Sequence, residues 1–473
     1  MIPRTSWLGL LGVAIAGIAA PPNVVFISID DLNTDIGCYG SPQVKTPHID
    51  RLAAMGVRFD RAYCQQPLCG PSRASVMSGL RPTTTGFVRL KDDLREKVPD
   101  VVTLGQFYRQ RDYYVGRVGK IFHYGNPSDI GTDGHDDAAS WMERFNPAGI
   151  DRTQEENIIR YPGGSTGRKN GLGISMAWWD PVSADEEHTD GMVAKQAVAM
   201  IDAHQNEPFF VAAGFFNPHC PYVAPQRYFD LYPLEEITMP DWETARRDLD
   251  DVPAMAVQRD TPHWPYYLDG VTWEEARKCK QAYYACISFV DAQVGKILDA
   301  LEGRDLMDNT IIVLWSDHGY FLGEKGLWYK RKNFERSVRA PLIIAGAGID
   351  QRGAVVTQPV ELLDLYPTLA DYTGHGVPDG LDGLSLRPLL ETPTASWDKP
   401  AVTIVFHGPE AQGFSLRDRR WRYTEWMAGA AGLELYDHAN DPDEITNLAS
   451  DPAYASVIAE LSVRLKPYAI LQP

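Results

Sequence analysis

Five apolar, β-branched runs separated by stretches of helical spacing constrain this chain more than any other feature. They read NVVFISI (23–29), YYVGRVG (113–119), PFFVAAGFF (208–216), TIIVLWS (310–316) and PLIIAG (341–346). Hydrophobicity that is continuous rather than alternating is expected of strands covered on both faces, as in a parallel sheet. Helical patterns fall at 46–57, 72–80, 101–110, 189–204 and 272–303, and AYYACISFVDAQVGKILDAL in the last is the clearest. Strands alternating with helices predict an α/β fold, a large, mostly parallel sheet with helices on both faces.

Punctuation divides the rest. Residues 125–188 and 220–272 are irregular and rich in Gly, Asp, Ser or Pro, as expected of rims around a functional site. GHGVPDGLDGLSLRPLLETPTASWDKP, around 375–400, marks a boundary. Beyond it AVTIVF, GFSLRD, WRYTEW and LELYD read as short antiparallel strands, closed by a helix near 452–466. The expected organisation is a main domain over 21–385 and a small C-terminal α+β subdomain over 400–473. Residues 1–20 resemble a secretory leader: one Arg, an apolar run from Trp7 to Ile18, then Ala19 and Ala20. Export to the periplasm or medium is therefore expected, with no membrane span once the leader is removed.

The formal net charge is −18, from 63 acidic and 45 basic residues. That balance argues against nucleic acid and anionic membranes as partners. An anion pocket here must be a local cluster of Lys, Arg and His. Six cysteines, at 38, 64, 69, 220, 279 and 286, do not make a disulfide scaffold at this length.

Ligands of open parallel sheets bind at the carboxyl ends of the strands. Here those ends carry Asp30 and Asp31, Lys120 and His123, Asn217 and His219, and Asp317 and His318. Clustered carboxylates repel one another unless a cation neutralises them, and oxygen donors without thiolates favour Ca²⁺ or Mg²⁺. Cys69, in CGPSR, precedes a proline suited to the first turn of a helix, so it lies at the positive end of that helix. Arg73 lies one turn along. A nucleophile or an anion site is expected there.

CGPSR followed by ASVMSGLRP resembles the sulfatase signature, whose cysteine is oxidised after synthesis to formylglycine. FISIDDLNTDIGCYG, TPHIDRLAAMGVRF, VGKIFH, NPHCP, IIVLWSDHGYFLGEKGLWYKRKNF, LLDLYPTLADYTG and LYDHANDPDEITNL are similar to further landmarks of that family, in order. GKIFH and the Asp317-His318 pair resemble the iduronate-2-sulfatase-like branch. The resemblance implies an alkaline-phosphatase-like sandwich. It implies Ca²⁺ bound by Asp30, Asp31, Asp317, His318 and the modified residue 69, which is also the nucleophile. Arg73 is implied to hold the hydrated aldehyde, Lys120 and Lys330 to grip the sulfate, and His123 and His219 to move protons. Asn217 departs from the branch, which carries Lys there, at a position beside the sugar.

The implied reaction is hydrolysis of a carbohydrate sulfate ester, a uronate 2-O-sulfate or a related glycosaminoglycan unit. The implied partner during maturation is a formylglycine-generating enzyme. Chemistry agrees with the motif: a gem-diol offers one hydroxyl to sulfur and keeps a second whose deprotonation expels sulfate, which a serine or thiol cannot do. Two other readings remain at this point. One is a phosphonate monoester or phosphodiester hydrolase of the same superfamily. The other is a non-catalytic sulfated-glycan binder, should Cys69 stay a thiol.

Overall fold

The structure, a computed structural model, describes residues 21–161, 171–174, 176–258, 271–409 and 411–470. The expected leader, residues 1–20, lies outside them.

The main sheet has eight strands: β1 (Asn23–Asp30), β2 (Gly56–Phe59), β3 (Tyr114–Gly119), β4 (Glu143–Phe145), β5 (Phe209–Pro218), β6 (Thr310–Ser316), β7 (Leu342–Gly346) and β8 (Ala354–Val356). Their spatial order is β8-β2-β7-β6-β1-β5-β3-β4. β1 lies at the centre, parallel to β6 on one side and to β5 on the other. The sheet is mixed. β7, the run at 341–346, is antiparallel to both β6 and β2, which corrects its reading as one more parallel strand. Only Ala347–Arg352 and Gly353 separate β7 from β8, too short a link for a helical crossover, and β8 pairs with β2 rather than β7.

Consecutive residues of β1 face opposite layers, as strand geometry requires. Val25, Ile27 and Ile29 pack with α4 (Thr189–His204) and the 30-residue α5 (Trp273–Glu302). Val24 and Phe26 pack with Phe107 of α3 (Leu104–Arg109) and Leu365 and Leu369 of α6 (Leu365–Tyr372). α1 (Pro47–Met55) joins the first layer, and α2 (Cys69–Ser78) the second. Both faces are thus covered, which is why the strands read as unbroken apolar runs.

Near the C-terminus β9 (Ala401–Phe406), β10 (Gln412–Arg417), β11 (Trp421–Trp426) and β12 (Leu433–Asp437) form an antiparallel meander. The helix α7 (Ala455–Leu465) covers it through Leu461 and Leu465. This sheet grips the main body where the chain approaches Cys69: the Ile404 N–H donates to the Gln65 carbonyl (2.8 Å) and the Thr403 hydroxyl to the Cys64 carbonyl (2.6 Å). All six cysteines are free thiols. Among the described residues no helix is long and apolar enough to cross a membrane.

Candidate active site

The carboxyl ends of β1, β3, β5 and β6 meet the N-terminus of α2. Cys69 is the first residue of α2, and Leu68 before it is extended and caps no helix amide with its side chain. The positive end of the helix is therefore left to whatever residue 69 presents. All ten residues of α2 are buried.

Arg73 is fully enclosed and organises the floor. Its Nε donates to Asp317 Oδ2 (2.9 Å), its Nη2 to Asp30 Oδ1 (3.0 Å), and its Nη1 to Ser28 Oγ and the carbonyls of Lys120 and Ile121. One guanidinium thus fixes the ends of three strands. Lys120, also without exposure, places its ammonium on Asp30 Oδ2. It reaches that position because Gly119, at φ +72°, turns the chain so closely past β5 that a Cβ would meet the Gly214 carbonyl. Burial alone would raise the Asp30 carboxyl, but Lys120, His219 and Arg73 hold it well below the ordinary range.

Asp31 is different. Its φ of +60° is a left-handed conformation rarely taken outside glycine and costs of order 1 kcal/mol or more. It is over-determined: Tyr283 donates its hydroxyl to the Asp31 carbonyl (2.6 Å), and Asp317 Oδ1 accepts from the Asp31 N–H (3.2 Å). Of its carboxylate oxygens, Oδ1 receives the Lys330 ammonium, while Oδ2 is buried with no hydrogen-bond partner. Burial first, and then the neighbouring Asp30 and Asp317, push its carboxyl up despite Lys330.

His318 faces the same point. Its Nδ1 lies 2.9 Å from the Gly319 carbonyl, which fixes the proton there and leaves the Nε2 lone pair facing inward. Nε2 stands 3.4 Å from Asp31 Oδ1, 3.7 Å from Asp317 Oδ2 and 3.3 Å from Cys69 Sγ. Lys330 Nζ is also 3.3 Å from that sulfur. The loop delivering Lys330 is contorted, with Tyr329 at φ +76° and Arg331 at φ +75° on either side. Burial holds the thiol well above its ordinary pKa even with Lys330 beside it, so an unmodified Cys69 is neutral and a poor nucleophile.

Two histidines flank the cluster. His219 Nδ1 lies 2.7 Å from the Cys220 carbonyl, leaving Nε2 toward Asp31 Oδ2 at 3.8 Å. Burial and then Lys330 lower its pKa to about 3. His123 Nδ1 is buried and unpartnered, its ring lies on His135 at 5.9 Å, and burial and Lys120 keep it well below the ordinary value. Asn217, the departure from the branch pattern, turns its amide to the Val223 carbonyl (3.2 Å).

The structure thus brings Asp30, Asp31, Cys69, Arg73, Lys120, Asp317, His318, Lys330 and His219 into one buried cluster, with His123 at its edge. Sequence reasoning passed over Ser28, Tyr283 and Asp190. Asp190 accepts the N–H groups of Phe216 and Asn217 and so sets the end of β5. These supports carry no strand-end signal of their own. Only the fold shows what they touch.

A family model described as Sulfatase matches residues 22–375, and one described as N-sulphoglucosamine sulphohydrolase, C-terminal, matches residues 323–469. A protein named Sulfatase from Formosa agariphila is 35% identical over 453 residues, spanning 94% of this chain and 86% of its own. Iduronate 2-sulfatase of Homo sapiens is 32% identical over 557 residues, spanning 95% and 97%. A solved structure in complex with its substrate D-glucosamine-2-N,6-O-disulfate superimposes with a TM-score of 0.74 at 22% identity, spanning 96% of this chain and 99% of that one.

Proposed function

From the premise that the chain belongs to the sulfatase family, we propose that it hydrolyses a sulfate ester of a carbohydrate, through formylglycine made from Cys69 and Ca²⁺. A uronate 2-O-sulfate or a related glycosaminoglycan unit is the substrate class, in keeping with the likeness to iduronate 2-sulfatase along nearly the whole chain.

The observation that carries the reading is a sulfur at a helix N-terminus, 3.3 Å from both a histidine nitrogen and a lysine ammonium, beside an orphaned carboxylate oxygen. The donor set fits a hard cation. Asp30, Asp31 and Asp317 supply oxygens, His318 turns a lone pair inward, and Asp31 Oδ2 has no other partner. When bound, the ion neutralises charge on sulfate oxygens, and the formylglycine hydrate supplies a hydroxyl for attack on sulfur and a second one for release.

The chain's own residues do the rest. Arg73 and Lys120 fix the carboxylates in position. Lys330 stands over residue 69, where it pairs with a sulfate oxygen once an anion displaces it from Asp31. His219 presents Nε2 toward the position of the departing sugar oxygen. Burial and Lys330 hold its pKa down to about 3, and an anionic ester beside Nε2 favours its protonation. His123, kept neutral by burial, accepts the proton whose removal releases sulfate.

Two measurements test this. Protein made together with a formylglycine-generating enzyme is screened against defined sulfated mono- and disaccharides, with bis(4-nitrophenyl) phosphate and a phosphonate monoester as the rival arm. Mass spectrometry of the peptide containing residue 69 is expected to show an aldehyde or its hydrate. Full activity with an unmodified thiol, or turnover of phosphodiesters alone, overturns the reading.

A further inference from the structure

The loop from Gly323 to Ser337 carries Lys330 through a series of left-handed residues: Gly323, Lys325, Gly326, Tyr329 and Arg331 all have positive φ. Such a path holds only if something fixes both its ends. One residue outside the loop touches both. Glu444, 1% exposed and itself at φ +59°, accepts the Lys325 ammonium on its backbone carbonyl (2.6 Å). It accepts the Glu335 N–H on its side-chain Oε2 (2.7 Å). The two contacts bracket Lys330 five residues to either side.

Glu444 is held in turn. Its Oε1 receives Arg422 Nε from β11 and lies 2.9 Å from His438 Nε2. Arg422 spends Nη2 on Glu335, whose other oxygen accepts the Tyr63 hydroxyl (3.0 Å). The turn that presents Glu444 is closed by Asp441, which accepts the N–H groups of Ile445 and Thr446. Asn447 ties that turn to β12 by accepting from the Leu435 N–H (3.0 Å) and donating to the Leu433 carbonyl (3.2 Å). The sequence DPDEITN thereby acquires a purpose that strand-end chemistry does not explain.

We propose that Glu444 is a positioning residue for Lys330: the C-terminal sheet, through this one side chain and its carbonyl, sets where the ammonium stands over residue 69. The proposal rests on the reading of Lys330 as a sulfate-binding group. Asp31 takes the Lys330 ammonium at the tip. Between the clamp points the loop pairs 328–329 with 321–322 and is tied by Trp328 Nε1 to the Tyr222 hydroxyl (3.0 Å) and by Lys332 Nζ to the Gln258 carbonyl (2.5 Å). Glu444 is the group that joins the two ends of this stretch. The N-terminal clamp point is secured further by Asp248, whose Oδ2 accepts Lys325 Nζ at 2.9 Å. The C-terminal one is helped by Asn333, whose Nδ2 donates to the Gly413 carbonyl (3.2 Å).

The test uses formylglycine-bearing protein, 4-nitrophenyl sulfate as probe, and two variants that open the clamp at different points, Glu444→Ala and Lys325→Met. Hydrogen exchange of amides 326–334 reads the clamp without reference to catalysis. Both variants are expected to lose protection there while β1 and β6 keep theirs. kcat/KM is expected to fall about 10- to 100-fold, the scale of a 1 Å misplacement. In a Lys330→Ala background the same two changes are expected to cost less than twofold, because the group being positioned is gone. A general structural defect would instead lower activity by the same factor in both backgrounds. Unchanged protection of 326–334 in a folded variant, or equal losses in both backgrounds, overturns the proposal. Should Glu444→Ala not fold, Lys325→Met decides alone. If Lys330→Ala itself is fully active, the catalytic reading of Lys330 fails, and exchange alone then decides whether the clamp exists.

Discussion

Two buried ionic clusters lie on either side of the Lys330 loop, and they differ in one respect. Around Asp31, three carboxylates face Arg73, Lys120 and Lys330, yet Asp31 Oδ2 has no partner and His318 Nε2 points into the same space. Around Arg422, the four carboxylate oxygens of Glu335 and Glu444 are all bonded. Glu335, His438 and Glu444 also converge closely enough to suggest a metal site, but Arg422 already occupies the place an ion would take. Composition therefore does not separate a binding site from a brace. The carboxylate oxygens do: those of Glu335 and Glu444 are all bonded, whereas Asp31 Oδ2 is left for a ligand.

The largest effect expected on that contrast is at Cys69. Cys69→Ala should reduce turnover to background while leaving the unfolding transition of the protein intact, because the side chain is small and its neighbours are already paired with one another. Measurable turnover in Cys69→Ala, on any sulfate ester, breaks the assignment of the binding cluster.

Next comes a direct exchange between the two clusters. If Ca²⁺ occupies the proposed site, Asp31→Ala should lose nearly all activity and also lose the stabilisation by Ca²⁺, about 2.7 kcal/mol at a hundredfold excess over Kd. Glu335→Ala should do the reverse. It leaves Arg422 and Glu444 in a broken network at a cost of about 3 kcal/mol or more, while the rise in unfolding temperature on adding Ca²⁺ is retained. Thermal unfolding with EGTA and with Ca²⁺ reads both. A Ca²⁺ response that survives Asp31→Ala and vanishes in Glu335→Ala would exchange the roles.

These residues were not equally legible in the sequence. Asp30, Asp31, Asp317 and His318 follow unbroken apolar runs, so strand-end logic alone brings them together. Cys69 opens a helix that Pro71, suited to its first turn, announces. By contrast, β2, β4 and β8 are three or four residues long, so they leave no periodic signal, and the reversal of β7 is set by pairing rather than by composition. Lys330 lies in a loop with no periodicity, and its place came from family likeness. Glu444 is 114 residues further on, and its meaning is wholly tertiary.

A third effect, intermediate in size, concerns the edge of the binding cluster. His219→Ala should slow desulfation of a sugar by roughly 10² to 10⁴, since an alkoxide needs a proton to leave, and should cost far less on 4-nitrophenyl sulfate before the steady state. His123→Ala should slow both substrates alike, because the leaving group has already departed. Equal losses on both substrates for His219→Ala would move the acid to Lys330.

The smallest effect separates the clusters by their response to pH. Asp30 and Glu434 are both buried carboxyls, but Asp30 meets two cations and is held well below the ordinary range. Glu434, beside the brace, meets only neutral donors, Trp426 Nε1 at 2.6 Å and the Tyr436 hydroxyl at 2.8 Å, and burial raises it to about 7. An unfolded glutamate titrates near 4.3, roughly. Folded Glu434 thus keeps a proton that the unfolded chain has lost, so its contribution to stability is complete below that value and disappears as pH rises through 7. Glu335 and Glu444 act with the opposite sign: burial would raise them, but Arg422 and His438 hold them low, so their contribution is present above the unfolded value and is lost as pH falls. Relative to the parent protein, Glu434→Gln should therefore gain in unfolding temperature as pH rises from about 4 to 7, the difference staying constant above that. Asp190→Asn, by contrast, should alter kcat as well, because Asp190 holds the end of β5 on which Asn217 and His219 stand. An unchanged slope in Glu434→Gln, or a change in kcat as large as that of Asp190→Asn, would show that the brace and the binding cluster titrate as one unit.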